Sequence, residues 1–510
     1  MRPIDFLYRG LTRDPAAIAV EFGAAVVSYA ELVADVEALA SAFQALDSTP
    51  GGRVGICAFN TRAHLTALLA TYAAGKAWVP LNPRNGRTEL DAMIAATRPA
   101  ILVADEACMG KFSPTNAPLI LGEGESGSSA TAPESVRALI RRHAGRTPVA
   151  VLRTPEDAQV IKFSGGTTGQ PKGVVQPLRC INTQAKPILD TFGFTRLDCF
   201  LVCAPLTHGT SCFVLPILAA GGKLMLLEKP ASATILQALE SGGATAVYLP
   251  PTMIYALMAE PGAADRQYPA LKHLIYSAAP MPPDRIEAAR AVFGPVVETV
   301  YGQVEAPQIV TAMLAHEFSL ADGRYLPSVG RATRLTRIAV MDGDRRLLGP
   351  GEVGEVVVRG DLVMTGYLDM PDLTAQTIVD GWLHTGDLGA LDEWGYLFLK
   401  GRLREVVISG GFNIFPADVE SVLSRHLAVQ ECCVFGVADA KWGEALHAAV
   451  QLRPGSAATE AELIQFVKRE LDSVKAPKAV HFVESLPRNP AGKVVRRAVH
   501  AQVLGREALP

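Results

Sequence analysis

Phe163-Ser-Gly-Gly-Thr-Thr-Gly-Gln-Pro-Lys-Gly-Val174 sets glycines, two threonines and a lysine between two apolar runs. Glycines let backbone N–H groups come close to a phosphate, hydroxyls add donors, and a lysine adds a mobile charge. Ser164, Gly165, Gly166, Thr167, Thr168, Gly169 and Lys172 therefore form a candidate polyphosphate loop. It is not the P-loop pattern, because no Gly-Lys in this chain is followed by Ser or Thr. On this segment alone, a phosphate cradle and a plain flexible loop stand level.

The surrounding chain shows strand–helix alternation. Ala244 to Leu249, Leu274 to Tyr276 and Val296 to Val300 are short apolar runs, with helices opening at Pro251 and Pro283 between them. Val54 to Ala58 and Ile101 to Ala104 read the same way. Continuous apolar strands argue for parallel sheets covered on both faces, whose ligands bind at the strands' carboxyl ends. That places Tyr276-Ser-Ala-Ala-Pro280 and Tyr301-Gly302 in a site. After about Ser328, short strands separated by Gly, Pro and Asp turns predict a small antiparallel or barrel unit. From about Arg404 a compact α+β unit follows, with helices near Ala417 to Arg425 and Glu460 to Leu471.

Composition narrows the classes. A chain of 510 residues with 49% hydrophobic and 19% charged residues has the material for large cores and is not disordered. A formal net charge of -3 without a long basic run makes nucleic acid an unexpected main partner. The eight cysteines show no metal or disulfide spacing, which fits free thiols in a reducing cytosol. The N-terminus has no long apolar core, and the best apolar stretch, Leu65 to Leu81, contains Lys76. A soluble cytoplasmic protein without integral membrane association is the expectation.

Further motifs follow in order: Tyr301-Gly-Gln-Val-Glu305, Gly351-Glu-Val-Gly-Glu355, Leu383-His-Thr-Gly-Asp387, Gly401-Arg-Leu-Arg-Glu405, Ser409-Gly-Gly-Phe-Asn413 and Gly492-Lys493. With weaker echoes at Asn60 and Pro80-Leu-Asn-Pro83, this series resembles the adenylate-forming superfamily of acyl-CoA synthetases, adenylation domains and luciferases. The resemblance implies an α/β fold: a large N-terminal part of two α/β subdomains with mostly parallel sheets plus a small β-barrel, and a small mobile α+β lid. The implied boundaries are 1–400 for the AMP-binding part, 401–405 for a hinge and 406–510 for the lid. The implied reaction activates a carboxylic acid with ATP and Mg2+ to acyl-AMP, releases pyrophosphate, and forms a thioester with coenzyme A. A stand-alone enzyme loading a carrier protein and a non-catalytic nucleotide- or acyl-binding protein are the alternatives. A homodimer is left open.

Roles follow residue by residue from the same resemblance. Thr167, with its loop, would meet the phosphates, and Glu305 would hold Mg2+; an ordinary solvated glutamate is the bland reading. Asp387 would accept the ribose hydroxyls, against an Asx turn that stabilises only its own backbone. Arg402 would reach ribose or phosphate, and Ser277, Ala278, Ala279, Pro280, Tyr301 and Gly302 would complete the ATP/AMP site. Lys493 would bridge the acid's carboxylate and the α-phosphate, and Arg404 would be the hinge. Gly410, Gly411 and Phe412 would line the CoA thiol's path. His208, in Pro205-Leu-Thr-His-Gly209, would sit beside the acyl carboxylate. A carboxylate nucleophile needs no base at neutral pH, so His208 would position the acid or gate its entry. Thr210, Ser211, Cys212, Thr252, Tyr276, Ser277, Ala278, Ala279 and Gln303 would complete the acyl pocket. These side chains are uncharged, which predicts an acid with an apolar tail, fatty or aromatic.

Position 304 departs from the family, which usually has Thr there; Val304 loses the hydroxyl. Val304→Thr is expected to keep or raise acid-dependent pyrophosphate release. A large loss in that assay would show that the position serves packing instead.

Overall fold

The computed structural model describes residues 1–114, 117–122, 134–164, 172–241, 243–318, 327–471, 473–489 and 493–505. The phosphate loop Gly165, Gly166, Thr167, Thr168 and Gly169 lies outside the described residues, as do Gly492 and most of the Gly- and Ser-rich stretch from Gly122 to Pro133.

Two large sheets, among the described residues, carry the N-terminal part. One has nine strands, with six parallel strands at its centre. These are Val297–Tyr301, His273–Tyr276, Ala246–Leu249, Cys199–Val202, Lys223–Leu226 and Ile18–Phe22. Every residue of Cys199–Val202, Ala246–Leu249 and Val297–Tyr301 is buried, as their continuous apolar runs require. Antiparallel strands close the two edges, among them Ala25–Ser28. The other sheet has eight strands built around Arg53–Cys57, Ala77–Pro80 and Ile101–Ala104, all parallel. Its strand Ala158–Ser164 runs parallel to Ala77–Pro80, then pairs antiparallel with Lys172–Pro177. The pairing Ser164↔Lys172 brings together the two ends of the phosphate loop.

One apolar cluster fills the space shared by the two sheets. Val54, Trp78 and Val160 come from the eight-stranded sheet, and Phe200, Val202 and Val300 from the other. The helix Ser211–Ala220 lies in this cluster through Cys212, Phe213, Val214, Leu215, Ile217 and Leu218. The N-terminal strand Ile18–Phe22, which periodicity did not single out, reaches Lys223–Leu226 across the chain.

The small unit after Ser328 is a five-stranded antiparallel sheet. Trp382–Leu391 is its long member and pairs with Gly354–Arg359, Ile378–Val379 and Leu397–Arg402. The C-terminal residues form a fourth sheet and the helices Pro416–Ser424, Glu460–Glu470 and Arg496–Leu504 around their own apolar clusters. No described helix is long and apolar enough to cross a membrane.

The helix Arg62–Ala73 shows how a polar group is handled in the main core. Thr61 caps it by accepting from the His64 N–H at 3.2 Å. The His64 ring is fully buried with Nδ1 2.9 Å from the Phe59 carbonyl, and Nε2 has no partner among the described residues. Burial pushes its pKa down to about 4. The unfolded chain therefore takes up this proton at a higher pH than the folded one, and stability falls with acidification. This group should cost up to about 3 kcal/mol between roughly pH 6.5 and pH 4. Urea unfolding at pH 7 and pH 4.5 should show a smaller acid loss for His64→Leu than for the wild type; equal losses would refute the assignment.

Candidate active site

Asp387, in the long strand Trp382–Leu391, is buried and collects donors from three segments. The Tyr301 hydroxyl donates to Oδ2 at 2.7 Å, and Gln303 Nε2 donates to the same oxygen at 2.6 Å. Arg402 Nε lies 3.0 Å from Oδ1, because Asp387 and Arg402 are paired across adjacent strands. Burial first, and then the Asp387 charge, hold the Tyr301 phenol well above its ordinary pKa, so it stays a donor. These bonds go to other elements, unlike a self-bonding Asx turn. A carboxylate has about four acceptor positions, and three donors leave room for a further hydroxyl. Gln303 belongs with this cluster: its amide also donates to the Thr385 carbonyl at 3.0 Å. Gln303, expected in the acyl pocket, has its amide donors engaged on the Asp387 side.

Glu305 follows the same strand end. The Tyr367 hydroxyl donates to its Oε1 at 2.9 Å. The Met364 N–H donates to the Glu305 carbonyl at 2.8 Å, and Gln176 Nε2 donates to the Val304 carbonyl at 2.7 Å. Val304 itself packs against the apolar cluster containing Tyr301, Ala306 and Val310. The Lys172 ammonium stands 5.7 Å from the Tyr367 ring centre. Oε2 of Glu305 has no hydrogen bond among these contacts. No group of three His, Cys, Asp or Glu that could cage a metal exists among the described residues. A lone carboxylate fits Mg2+, which is usually held by one or two carboxylates together with substrate phosphates.

The His208 turn is fixed from behind by Asn60. Asn60 Nδ2 donates to the Ala204 carbonyl at 3.0 Å, and its Oδ1 accepts from the Leu206 N–H at 2.9 Å. His208 Nε2 lies 3.3 Å from Asn82 Nδ2. Burial holds the His208 pKa below its ordinary value, so the ring is neutral near pH 7 and Nε2 can accept from the Asn82 amide. A neutral ring held by an amide suits positioning. Lys162 Nζ donates to the His208 carbonyl at 3.0 Å. Gly209 is required by close approach: a Cβ there would stand 2.6 Å from the Tyr248 hydroxyl and 2.7 Å from Gln308 Oε1.

Tyr276, Ser277, Ala278, Ala279 and Pro280 leave the carboxyl end of His273–Tyr276. Ala278 has φ of +76°, a left-handed conformation that strains a residue with a Cβ and recurs at ligand sites. Thr252 lies in the first turn of the helix after Ala246–Leu249, at the same edge of the sheet. Thr210 is fully buried, and its hydroxyl has no partner among the described residues. Sequence reasoning singled out neither Tyr248, Gln308, Lys162 nor Tyr367. A lysine inside an apolar strand run was the one signal available for Lys162.

The AMP-binding enzyme family model matches residues 7–368, and the AMP-binding enzyme C-terminal domain model matches residues 418–493. The chain belongs to the AMP-binding enzyme family. Among its relatives, a medium/long-chain-fatty-acid–CoA ligase of Mycobacterium tuberculosis (strain ATCC 25618 / H37Rv) is 33% identical over 477 residues, covering 90% of this chain and 83% of the relative. A feruloyl-CoA synthase of an Amycolatopsis species is 32% identical over 495 residues, covering 95% of this chain and 96% of the relative. The amide bond synthetase McbA from Marinactinospora thermotolerans superposes with a TM-score of 0.87 at 29% identity, covering 98% of this chain and 100% of that one.

In this AMP-binding enzyme, the C-terminal unit carries Lys493 toward the Asp387 cluster. The Lys493 side chain keeps solvent exposure, yet enough protein packs around its ammonium for burial to lower its pKa. Arg402 lowers it further, while Glu405 and Asp387 act in the opposite direction. Arg404 is exposed in the short turn Leu403–Glu405, within electrostatic reach of the Tyr367 phenol. Gly410 and Gly411 have φ of +59° and +85° and join Val407–Ser409 to Phe412–Ile414. Positive φ at both central residues of a two-residue hairpin accounts for this pair of glycines by backbone geometry alone. Phe412 is exposed beside them.

Tyr301→Phe removes one donor from a buried carboxylate and should destabilise the ligand-free protein by about 1.5–3 kcal/mol. A double-mutant cycle of Tyr301→Phe with Asp387→Asn, read by urea unfolding, should be non-additive. Additive losses would mean that the two groups do not interact.

Proposed function

We propose that this protein is an AMP-forming acid–thiol ligase that activates a carboxylic acid with ATP and transfers the acyl group to coenzyme A. The observation carrying this reading is that Asp387, Arg402 and Lys493 share one electrostatic neighbourhood, although Lys493 belongs to the C-terminal unit. Glu305 and the His208 turn both lie in carboxyl-end loops of the nine-stranded sheet. Lys162 and Lys172, on either side of the phosphate loop, approach the His208 carbonyl and the Tyr367 ring that holds Glu305. CoA-ligase relatives that match almost the whole chain support the acceptor.

In the first half-reaction, a carboxylate oxygen of the acid attacks the α-phosphorus of ATP. The bond to the β-phosphate oxygen breaks, and pyrophosphate leaves with its electron pair. Asp387 holds the ribose through its remaining acceptor position, and Arg402 stays oriented by its own bond to that carboxylate. Lys493 spans the acid's carboxylate and the α-phosphate, where charge redistributes in the transition state. Thr167 and the rest of the phosphate loop, with Lys172, meet the other phosphates. Glu305 would hold Mg2+, which when bound neutralises phosphate charge. Neutral His208 orients the acid, and positioning supplies most of the rate.

In the second half-reaction, the CoA sulfur attacks the acyl carbon of the mixed anhydride. The carbon–oxygen bond to AMP breaks, the thiol proton passes to solvent and AMP leaves. Lys493 has no part in this step. Rotation about Arg404 would withdraw it and bring the Gly410-Gly411 hairpin in, with Phe412 at the rim. A carrier-protein thiol would follow the same chemistry, and a fatty acid–[acyl-carrier-protein] ligase of Streptomyces coeruleorubidus is 29% identical over 502 residues.

The test is pyrophosphate release with Mg-ATP across a panel of acids, with CoA, with a carrier protein and with neither. Acid-dependent release that CoA accelerates supports the reading, whereas no release with any acid overturns it. Lys493→Ala should lower acid-dependent release by roughly a hundredfold or more. Thioester formation from presynthesised acyl-AMP should survive in that variant. Equal loss of both steps would remove the assigned role.

A further inference from the structure

Behind the His208 turn lies a cavity of about 20 Å³, lined in part by Tyr72, Trp78, Lys162, Gln184, Ser211 and Cys212. Three of its polar groups are donors with capacity to spare: Lys162, Trp78 and Gln184. Among the described residues, Trp78 Nε1 is buried without a hydrogen-bond partner, as is Gln184 Nε2, whose amide lies beside the Cys212 thiol. Lys162 Nζ donates to the His208 carbonyl at 3.0 Å and to Ser211 Oγ at 3.2 Å. An ammonium has three N–H groups, so one remains. The Trp78 ring centre is 5.5 Å from this nitrogen, and the Lys162 side chain makes no ion pair with a carboxylate among the described residues. Lys162 keeps some accessible surface because it faces the cavity, while protein encloses it enough for burial to lower its pKa.

A half-buried cation with no counter-charge among the described residues, beside two unpaired N–H groups, is costly to the ligand-free protein. One water would supply an acceptor but would leave the charge uncompensated. An oxygen-bearing ligand group would supply acceptors for these donors and, as a carboxylate, the missing charge. The site is also close to the chemistry: Lys162 precedes Ser164 by two residues, roughly 7 Å along a strand, and the phosphate loop begins at the next residue. Ser211 and Cys212 follow the His208 turn directly.

We propose that the acid activated by this ligase is short and carries an oxygen acceptor, a carbonyl or a carboxylate, at the end remote from its reacting carboxyl group, and that this oxygen occupies the Lys162 cavity. The proposal rests on the ligase reading above. It reverses the expectation of an apolar tail, which came from an uncharged set of pocket residues that did not include Lys162. Ser211 and Cys212 keep their place in the acyl pocket and line its far end.

Isocaproate, levulinate and succinate form a test series of nearly equal shape whose tips carry two methyls, one carbonyl oxygen and one carboxylate. They and longer matched series would be assayed as acids by pyrophosphate release, using the full-length protein. The wild type should prefer an oxygen-tipped acid over its alkyl-tipped partner by roughly ten- to a hundredfold in kcat/KM. Succinate-type acids leading would assign an anion, and levulinate-type acids leading a neutral carbonyl. Lys162→Met should collapse or invert the ratio between tips. Trp78→Phe, which keeps the cation and its hold on the His208 turn, should reduce the ratio and provides a second reading if Lys162→Met does not fold. An alkyl-tip preference in the wild type overturns the proposal, as does a ratio unmoved by both variants, which would leave Lys162 as a brace for the turn alone. No release with any acid, alkyl-tipped ones included, would instead be the failure of the ligase reading.

Discussion

The buried carboxylate of Asp387 is the constraint on which the site's arrangement depends. A charge in that position must be met by donors, and they come from separate parts of the fold. Tyr301 ends a central strand of the nine-stranded sheet, Gln303 lies in the loop beyond it, and Arg402 ends the last strand before the C-terminal unit. Satisfying one anion therefore sets the position of the small antiparallel sheet against the large parallel one. It also fixes the departure point of the chain toward Lys493.

Glu305 and Asp387 show how neighbouring carboxylates acquire different roles from their surroundings. Asp387 is almost saturated, so its freedom is spent on geometry. Glu305 has one oxygen held by Tyr367 and its backbone secured through Met364. It is oriented yet still able to take a hard cation. Lys162 is the converse case on the acyl side: an enclosed cation for which no described residue provides an anion.

Much of this was legible in the sequence where function requires particular residue types at local spacing. Thr385-Gly-Asp387 and Gly401-Arg402 stand out as motifs, and the sheet register places them side by side. Continuous apolar strands such as Ala246–Leu249 could be read from hydrophobicity alone, since both faces are covered. Long-range side-chain geometry was not legible. Gln303 carries no local mark showing that its amide turns to a strand some eighty residues away. The role of Tyr248 depends on the missing side chain at Gly209, and the enclosure of Lys162 depends on Trp78 and Gln184 from other elements. The short strands Ile18–Phe22 and Ala25–Ser28, whose burial does not alternate, gave too few residues for periodicity to stand out.

Those first strands have a consequence for biosynthesis. Val20 pairs with Leu224, so the N-terminal strand waits for a partner made about two hundred residues later. At roughly 5–20 residues per second, the delay on the ribosome is on the order of 10–40 s. During that interval an apolar strand is without its sheet, and the eight-stranded sheet can assemble only as far as its own residues have emerged. The two large subdomains are thus interleaved in time as well as in space, and neither would be expected to reach its native form as a separately synthesised half.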